Sequence, residues 1–124
     1  YGLNYTSFEY SNLKLNKKEM KKNDSIVVTM DIANTGRYAG EEVVQLYLRD
    51  RVGTVVRPVK ELKDFKKLLL QPGEKKTIRF VIGKEKLSFY NAKLKWDAEP
   101  GDFDLMVGSS SADIRLKDNF SLLP

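Results

Sequence analysis

The sequence predicts an all-β chain, an antiparallel two-sheet β-sandwich, and three observations lead to this. Apolar and polar residues alternate in several short segments, turn residues separate those segments, and helical spacing is not sustained in any of the 124 residues. Alternation indicates a half-buried strand because successive side chains leave opposite faces of the backbone. Seven or eight short strands between regular turn signals are typical of a sandwich.

The clearest predicted strand covers residues 26–33. Ile26 begins an apolar set at every second position, and Asn34-Thr35-Gly36 supplies the turn that ends it. The other predicted strands are 43–49, 62–70, 77–82 and 102–107, with weaker candidates at 8–15, 87–90 and 114–122. Pro72-Gly73 and Pro100-Gly101 provide turns, and residues 83–86 could form one helical turn.

The inward positions of these strands predict the hydrophobic core. They share an apolar character and a spacing of two residues along each strand. The predicted core is Ile26, Val28, Met30, Ile32, Val44, Leu46, Leu48, Ile78, Phe80, Phe103, Leu105 and Val107.

Composition excludes several classes of chemistry. The chain has no cysteine and no histidine, which removes disulfides, thiol nucleophiles, histidine bases and thiolate or imidazole metal ligands. We therefore predict no cofactor and no metal. The net charge is +5, but the basic residues are dispersed and form no recognition motif, so nucleic acid is not a predicted partner.

No apolar run approaches the roughly 18 residues of a membrane span, so no membrane contact is predicted either. The chain does not begin with Met, and we expect it to be a piece of a longer polypeptide. The fragment itself gives no localisation.

Several motifs occur together along the chain. They are Tyr-Gly-Leu-Asn-Tyr-Thr-Ser-Phe at 1–8, Asn-Thr-Gly at 34–36, Ala-Gly-Glu-Glu-Val-Val-Gln-Leu-Tyr at 39–47, Arg-Pro-Val-Lys-Glu-Leu at 57–62, Leu-Gln-Pro-Gly-Glu at 70–74, Leu-Ser-Phe-Tyr at 87–90, Pro-Gly-Asp-Phe at 100–103 and Val-Gly-Ser-Ser at 107–110. In this order the set resembles the C-terminal fibronectin type III-like domain of family 3 glycoside hydrolases, which include β-glucosidases and β-xylosidases. Asn4 departs mildly, because the family usually has Ser there.

The resemblance implies a fibronectin type III-like, immunoglobulin-like sandwich over residues 8–124, preceded by an entry segment at 1–7. It implies that preceding catalytic domains of the same parent chain are the partner, and that they carry the nucleophilic Asp and the acid/base residue. The domain itself would then be a structural, non-catalytic docking domain. A β-glucosidase-like parent that hydrolyses terminal β-linked sugars, in the periplasm or secreted, is the expected context.

The chain's own acidic pairs do not predict a glycosidase site. Glu41 and Glu42 are adjacent on a strand, so their side chains leave opposite faces. Asp102 and Asp104 share a face about 6.6 Å apart, within the range for a carboxylate pair, but they alternate with apolar residues as solvent-facing residues do. No catalytic residue is predicted.

Polar and aromatic residues outside the core predict an interdomain contact. The loop 57–61 combines cations with a carboxylate, which suits a partly buried domain contact, although anchoring of its own loop explains it equally well. Direct carbohydrate binding by Trp96 with Asp97 and Glu99 is the alternative function, and an adhesion-type sandwich is a third class. The predicted contact residues are Arg57, Lys60, Glu61, Tyr47, Tyr90 and Trp96.

Overall fold

The computed structural model describes residues 6–51, 60–90 and 96–124, and for residues 89, 90 and 96 it describes the backbone alone. The strands are β1 (Phe8–Leu15), β2 (Glu19–Met20), β3 (Ile26–Asn34), β4 (Gly40–Asp50), β5 (Glu61–Leu70), β6 (Lys75–Ile82), β7 (Phe89–Tyr90), β8 (Trp96–Asp97), β9 (Gly101–Ser110) and β10 (Asp113–Leu122). A single helical turn, α1, covers Lys84–Leu87. Among the described residues, no helix is long and apolar enough to cross a membrane.

Two sheets pack face to face, as the sequence predicts. The three-stranded sheet has the order β1-β3-β6, and the five-stranded sheet has the order β2-β10-β9-β4-β5. A short β7-β8 ladder lies apart from both. All long pairs are antiparallel, which confirms the predicted sandwich.

One short pair within the antiparallel sandwich is parallel. The two residues of β2 pair parallel with the end of β10, where Met20 lies opposite Leu122. Backbone bonds from Ser121 to Lys18 and from Leu123 to Met20 continue the contact. This pairing covers an open edge of β10 and places the Met20 side chain in the core, so it satisfies backbone groups and buries apolar surface together.

All twelve predicted core residues are buried, which confirms the assigned strand faces. Phe103 and Phe120 add a stacked pair on neighbouring strands, with ring centroids 5.4 Å apart. The predicted turn at Pro72-Gly73 is also confirmed, because Gly73 has a φ of +78°. The weaker strand prediction at 87–90 is partly wrong, since Leu87 ends α1 and turns its side chain into the core.

Asn34 connects the end of β3 to two neighbouring loops. Its side-chain amide donates to the carbonyl oxygens of Tyr38 and Leu70, at 2.8 and 3.0 Å. Its side-chain oxygen accepts from the Gly36 amide at 2.9 Å. Only 1% of Asn34 is exposed, so these bonds form away from water and fix the Asn-Thr-Gly turn against the end of β5.

Candidate functional site

Asp102 and Asp104 lie on one face of β9, but their surroundings do not suit proton transfer. Asp104 accepts hydrogen bonds from Arg49 Nη2 and from Arg51 Nε, each at 2.7 Å. The hydrogen bond from Arg51, with that from Arg49, holds the pKa of Asp104 below its usual range. Asp102 accepts from the Ser121 hydroxyl at 2.6 Å. A glycosidase acid needs a raised pKa, whereas the pKa of Asp104 is lowered.

Glu41 and Glu42 leave opposite faces of β4, as predicted. Glu41 is exposed and lies 3.6 Å from the ammonium group of Lys67. Glu42 points between the sheets, where it is only 7% exposed. The two carboxyl groups therefore cannot act on one sugar.

The burial of the Glu42 carboxyl group was not predicted from the sequence. The Tyr10 hydroxyl donates to Glu42 Oε2 at 2.9 Å, and the Arg115 guanidinium lies 5.1 Å from the centre of the Tyr10 ring. Burial raises the pKa of Glu42, while the bond from Tyr10 and the charge of Arg115 partly oppose that rise. Arg115 also donates to the Phe8 carbonyl oxygen at 2.9 Å, so the cluster joins β1 to strands of the other sheet.

A perturbed carboxyl group can mark an active site, but this one is enclosed and bonded across the sandwich. We therefore expect a pH effect on stability. Because folding raises the pKa of Glu42, the folded state binds its proton more tightly, and stability falls as pH rises from about 4.5 through the folded pKa.

Glu42→Gln should remove that dependence. The free energy of unfolding of Glu42→Gln, minus that of the unmodified chain, should increase as pH rises across this window and then level off. Urea unfolding at several pH values measures it. Glu41→Gln, which removes an exposed carboxyl group from the other face, is the control for net charge. A difference that grows as pH falls would contradict the assignment.

The structure describes the predicted contact residues to different extents. Arg57 lies outside the described residues, and Tyr90 and Trp96 are opposite each other in the β7-β8 ladder, where only their backbone is described. Lys60 is half-buried beside the start of β5, and Glu61 lies 3.2 Å from the ammonium group of Lys63. A role for these residues in an interdomain contact stays a prediction.

Tyr47 lies on the face of β4 opposite Leu46 and Leu48, as predicted, but it is not an exposed aromatic. Only 7% of the residue is exposed, and its hydroxyl donates to the side-chain oxygen of Gln45. Its cross-strand neighbour Met106 is 8% exposed, although the alternation of β9 assigns it to the solvent face. The outer face of the five-stranded sheet is therefore apolar at its centre.

Three exposed apolar side chains on β5 continue this apolar surface, and sequence reasoning missed them. Leu62, Phe65 and Leu69 are 50%, 60% and 57% exposed. Leu62 pairs with Tyr47 and Phe65 with Gln45, which places them on the outer face. We call Tyr47, Met106, Leu62, Phe65 and Leu69 the apolar strip. The sequence feature that could have predicted these exposed side chains is the irregular apolar pattern of residues 62–70, which places leucine or phenylalanine on both faces of one strand.

A charged depression of about 490 Å³ adjoins the apolar strip and reaches Met106. Its cations are Arg49, Arg51, Lys60 and Lys117, and its carboxylates are Asp104 and Asp118. Two of the cations bind Asp104, while Asp118 is paired with Lys18 outside the depression. The depression therefore carries more positive than negative charge.

Asp97, which the sequence suggested as part of a sugar contact, already has a cationic partner. Its carboxylate accepts from the Lys22 ammonium group at 2.9 Å, and this bond lowers the pKa of Asp97. The Ala98 amide donates to its other oxygen at 2.9 Å. Asp97 thus serves the local structure where β8 ends.

The chain belongs to the fibronectin type III-like domain family, whose model matches residues 42–111. Proteins with similar sequences include β-glucosidases and β-xylosidases, which confirms the resemblance drawn from the motifs.

The chain is 45% identical over 120 residues to thermostable β-glucosidase B of Acetivibrio thermocellus, covering 96% of this chain and 16% of that protein. It is 45% identical over 122 residues to a putative β-xylosidase of Formosa agariphila, covering 98% and 16%. The crystal structure of a β-glucosidase from Listeria innocua in complex with glucose superposes with a TM-score of 0.91 at 40% identity, covering 100% of this chain and 17% of that chain. The chain thus spans only a small part of the relatives it matches.

Proposed function

We propose that this chain is a non-catalytic domain that docks onto the preceding catalytic domains of a β-glucosidase-like family 3 glycoside hydrolase. One observation carries the proposal. The whole chain superposes on a solved β-glucosidase but accounts for 17% of it, so the fold occurs there as a small part of a larger enzyme. The parent would hydrolyse terminal β-linked sugars, with residues 8–124 forming the domain and 1–7 entering it.

The side chains support a structural role. The side chains of Glu41 and Glu42 leave opposite faces of their strand. Asp102 is hydrogen-bonded to Ser121, and Asp104 is paired with Arg51. The apolar strip includes three large side chains that are at least half exposed, and a soluble domain rarely leaves such a group uncovered. Contacts between domains of one chain commonly bury about 600–1,500 Å² in total, and such a contact would cover it.

Deleting residues 8–124 from the parent should lower its unfolding temperature and its soluble yield. The reason is that removal exposes the apolar surface on the catalytic domains that this domain covers. The substrate pocket of any folded remainder should bind a monosaccharide ligand with similar affinity. Differential scanning calorimetry and ligand titration on the truncated and complete chains measure both effects.

Carbohydrate binding is the competing function, and the same truncation separates the two. A truncated parent that is equally stable and soluble, but has lost affinity only for polymeric β-glucan, would replace docking by the binding-module function. Trp96→Ala in the complete chain would then reproduce the loss. Release of phenol from an aryl β-glucoside by the 124-residue chain alone would contradict the non-catalytic assignment.

A further inference from the structure

The two outer faces of the sandwich differ in kind. The outer face of the three-stranded sheet is polar and bonded within itself, because Asp31 accepts from Thr77 at 2.6 Å and from Asn12 at 2.7 Å. Val81, at 39% exposure, is its one large hydrophobic residue counted as exposed among the described residues. This face is already suited to water.

The outer face of the five-stranded sheet carries the apolar strip instead. Residues 62 to 69 of β5 span about 23 Å at the rise of a strand, with three side chains at least half exposed along that length. Single exposed leucines are ordinary, but three large apolar side chains are exposed on one strand face here, on the same side of the sheet as the buried Tyr47 and Met106. A charged pair among them is Lys67 with Glu41, whose ammonium and carboxylate groups lie 3.6 Å apart between Phe65 and Leu69. A surface of this kind marks a contact site.

The edge of β5 is protected against strand pairing, so the contact must use the face. Lys63, Lys66 and Lys67 lie on this edge strand, and charged side chains there hinder the addition of another strand. Lys66 points toward the other sheet, with its ammonium group 5.8 Å from the centre of the Phe80 ring. A partner therefore packs against side chains rather than extending the sheet.

The charges beside the apolar strip indicate the chemistry of the partner. The adjoining depression has four cations and two carboxylates. A complementary surface has an apolar centre with acidic groups placed opposite the depression. The solved β-glucosidase matched by this chain has most of its length outside the match, so the partner considered for this face is the rest of such a polypeptide.

We propose that the apolar strip and the charged depression together are the docking face, and that they pack against an apolar, acid-rimmed surface of the catalytic domains of the same chain. This rests on the proposed docking function and specifies the face that performs it. The three-stranded sheet faces solvent in the assembled enzyme.

Thiol labelling of the complete parent tests this, since the 124 residues contain no cysteine. Phe65→Cys places a thiol on the apolar strip, and Val81→Cys places the matched thiol on the opposite sheet. In this chain position 65 is the more exposed of the two, at 60% against 39%, so the domain alone would favour labelling at 65. Docking reverses that order. We expect labelling at 65 to be at least about tenfold slower than at 81, because it must await local opening. Peptide mass spectrometry assigns the labelled position.

Each other outcome contradicts the proposal in an identifiable way. Protection at 81 with free labelling at 65 would keep the docking function and reject this face. Free labelling at both positions would reject this proposal and show that neither sheet face is the docking face. Protection at 65 that disappears on dilution would assign the face to a second copy, and protection that requires added soluble β-glucan would assign it to carbohydrate.

Discussion

Replacing Phe80 with alanine is expected to lower the free energy of unfolding by about 3 to 5 kcal/mol, from lost burial and the cavity left behind. Phe80 lies on β6 between the sheets, pairs with Val28 on β3 and is 1% exposed. A cavity at the middle of a two-layer core has little room to collapse, because the strands on both sides are fixed by their ladders.

Denaturant unfolding of the 124-residue chain measures this loss. The midpoint should fall while the slope stays the same, which separates a change in stability from a change in the unfolded ensemble. Val81→Ala is the matched control, since its side chain is on the outer face of the same strand. It should cost well under about 1 kcal/mol. A loss of that small size for Phe80→Ala would contradict the assigned face.

Asn34→Ala is expected to have the second large effect, about 2 to 5 kcal/mol, because it leaves several buried groups without partners. The carbonyl oxygens of Tyr38 and Leu70 lose their side-chain donor, and the Gly36 amide loses its acceptor. Burial prevents water from replacing these bonds easily, since Asn34 is 1% exposed.

The same unfolding experiment tests the Asn34 network. Asn119→Ala changes an exposed asparagine in the middle of β10 and should alter the free energy of unfolding by no more than about 0.5 kcal/mol. Hydrogen exchange adds a local readout, because the Gly36 amide donates to the side-chain oxygen of Asn34, whereas the Gly73 amide donates to its backbone carbonyl oxygen, which alanine retains. If the Gly36 amide keeps its protection in Asn34→Ala, the turn does not depend on this side chain.

Strand faces were predictable because they depend on local geometry. Alternation with a period of two assigns each side chain of a strand to one face or the other, whatever the strand later pairs with. Ile26 to Ile32 and Phe103 to Val107 accordingly lie on the predicted inner faces. Turn positions follow for a similar reason, since the positive φ of Gly73 is a local requirement that few other residues meet.

The burial of side chains on the outer face of the five-stranded sheet was not predictable from alternation. Tyr47 and Met106 are on the side that the pattern assigned to solvent, yet both are buried. Their burial depends on the strand order, which places β4 and β9 in the interior of the five-stranded sheet with neighbours on both sides. Alternation carries no information about strand order.

The sequence by itself therefore determined the sandwich, its inner faces, its turns and its family, because each follows from local patterns or from motifs read in order. Tertiary structure decided the rest. It brought Tyr10, Glu42 and Arg115 together across the two sheets, paired β2 parallel with β10, and placed Leu62, Phe65 and Leu69 on the same outer face as the buried Tyr47 and Met106. These features join residues far apart in the chain, and only the packing of whole strands sets which of them meet.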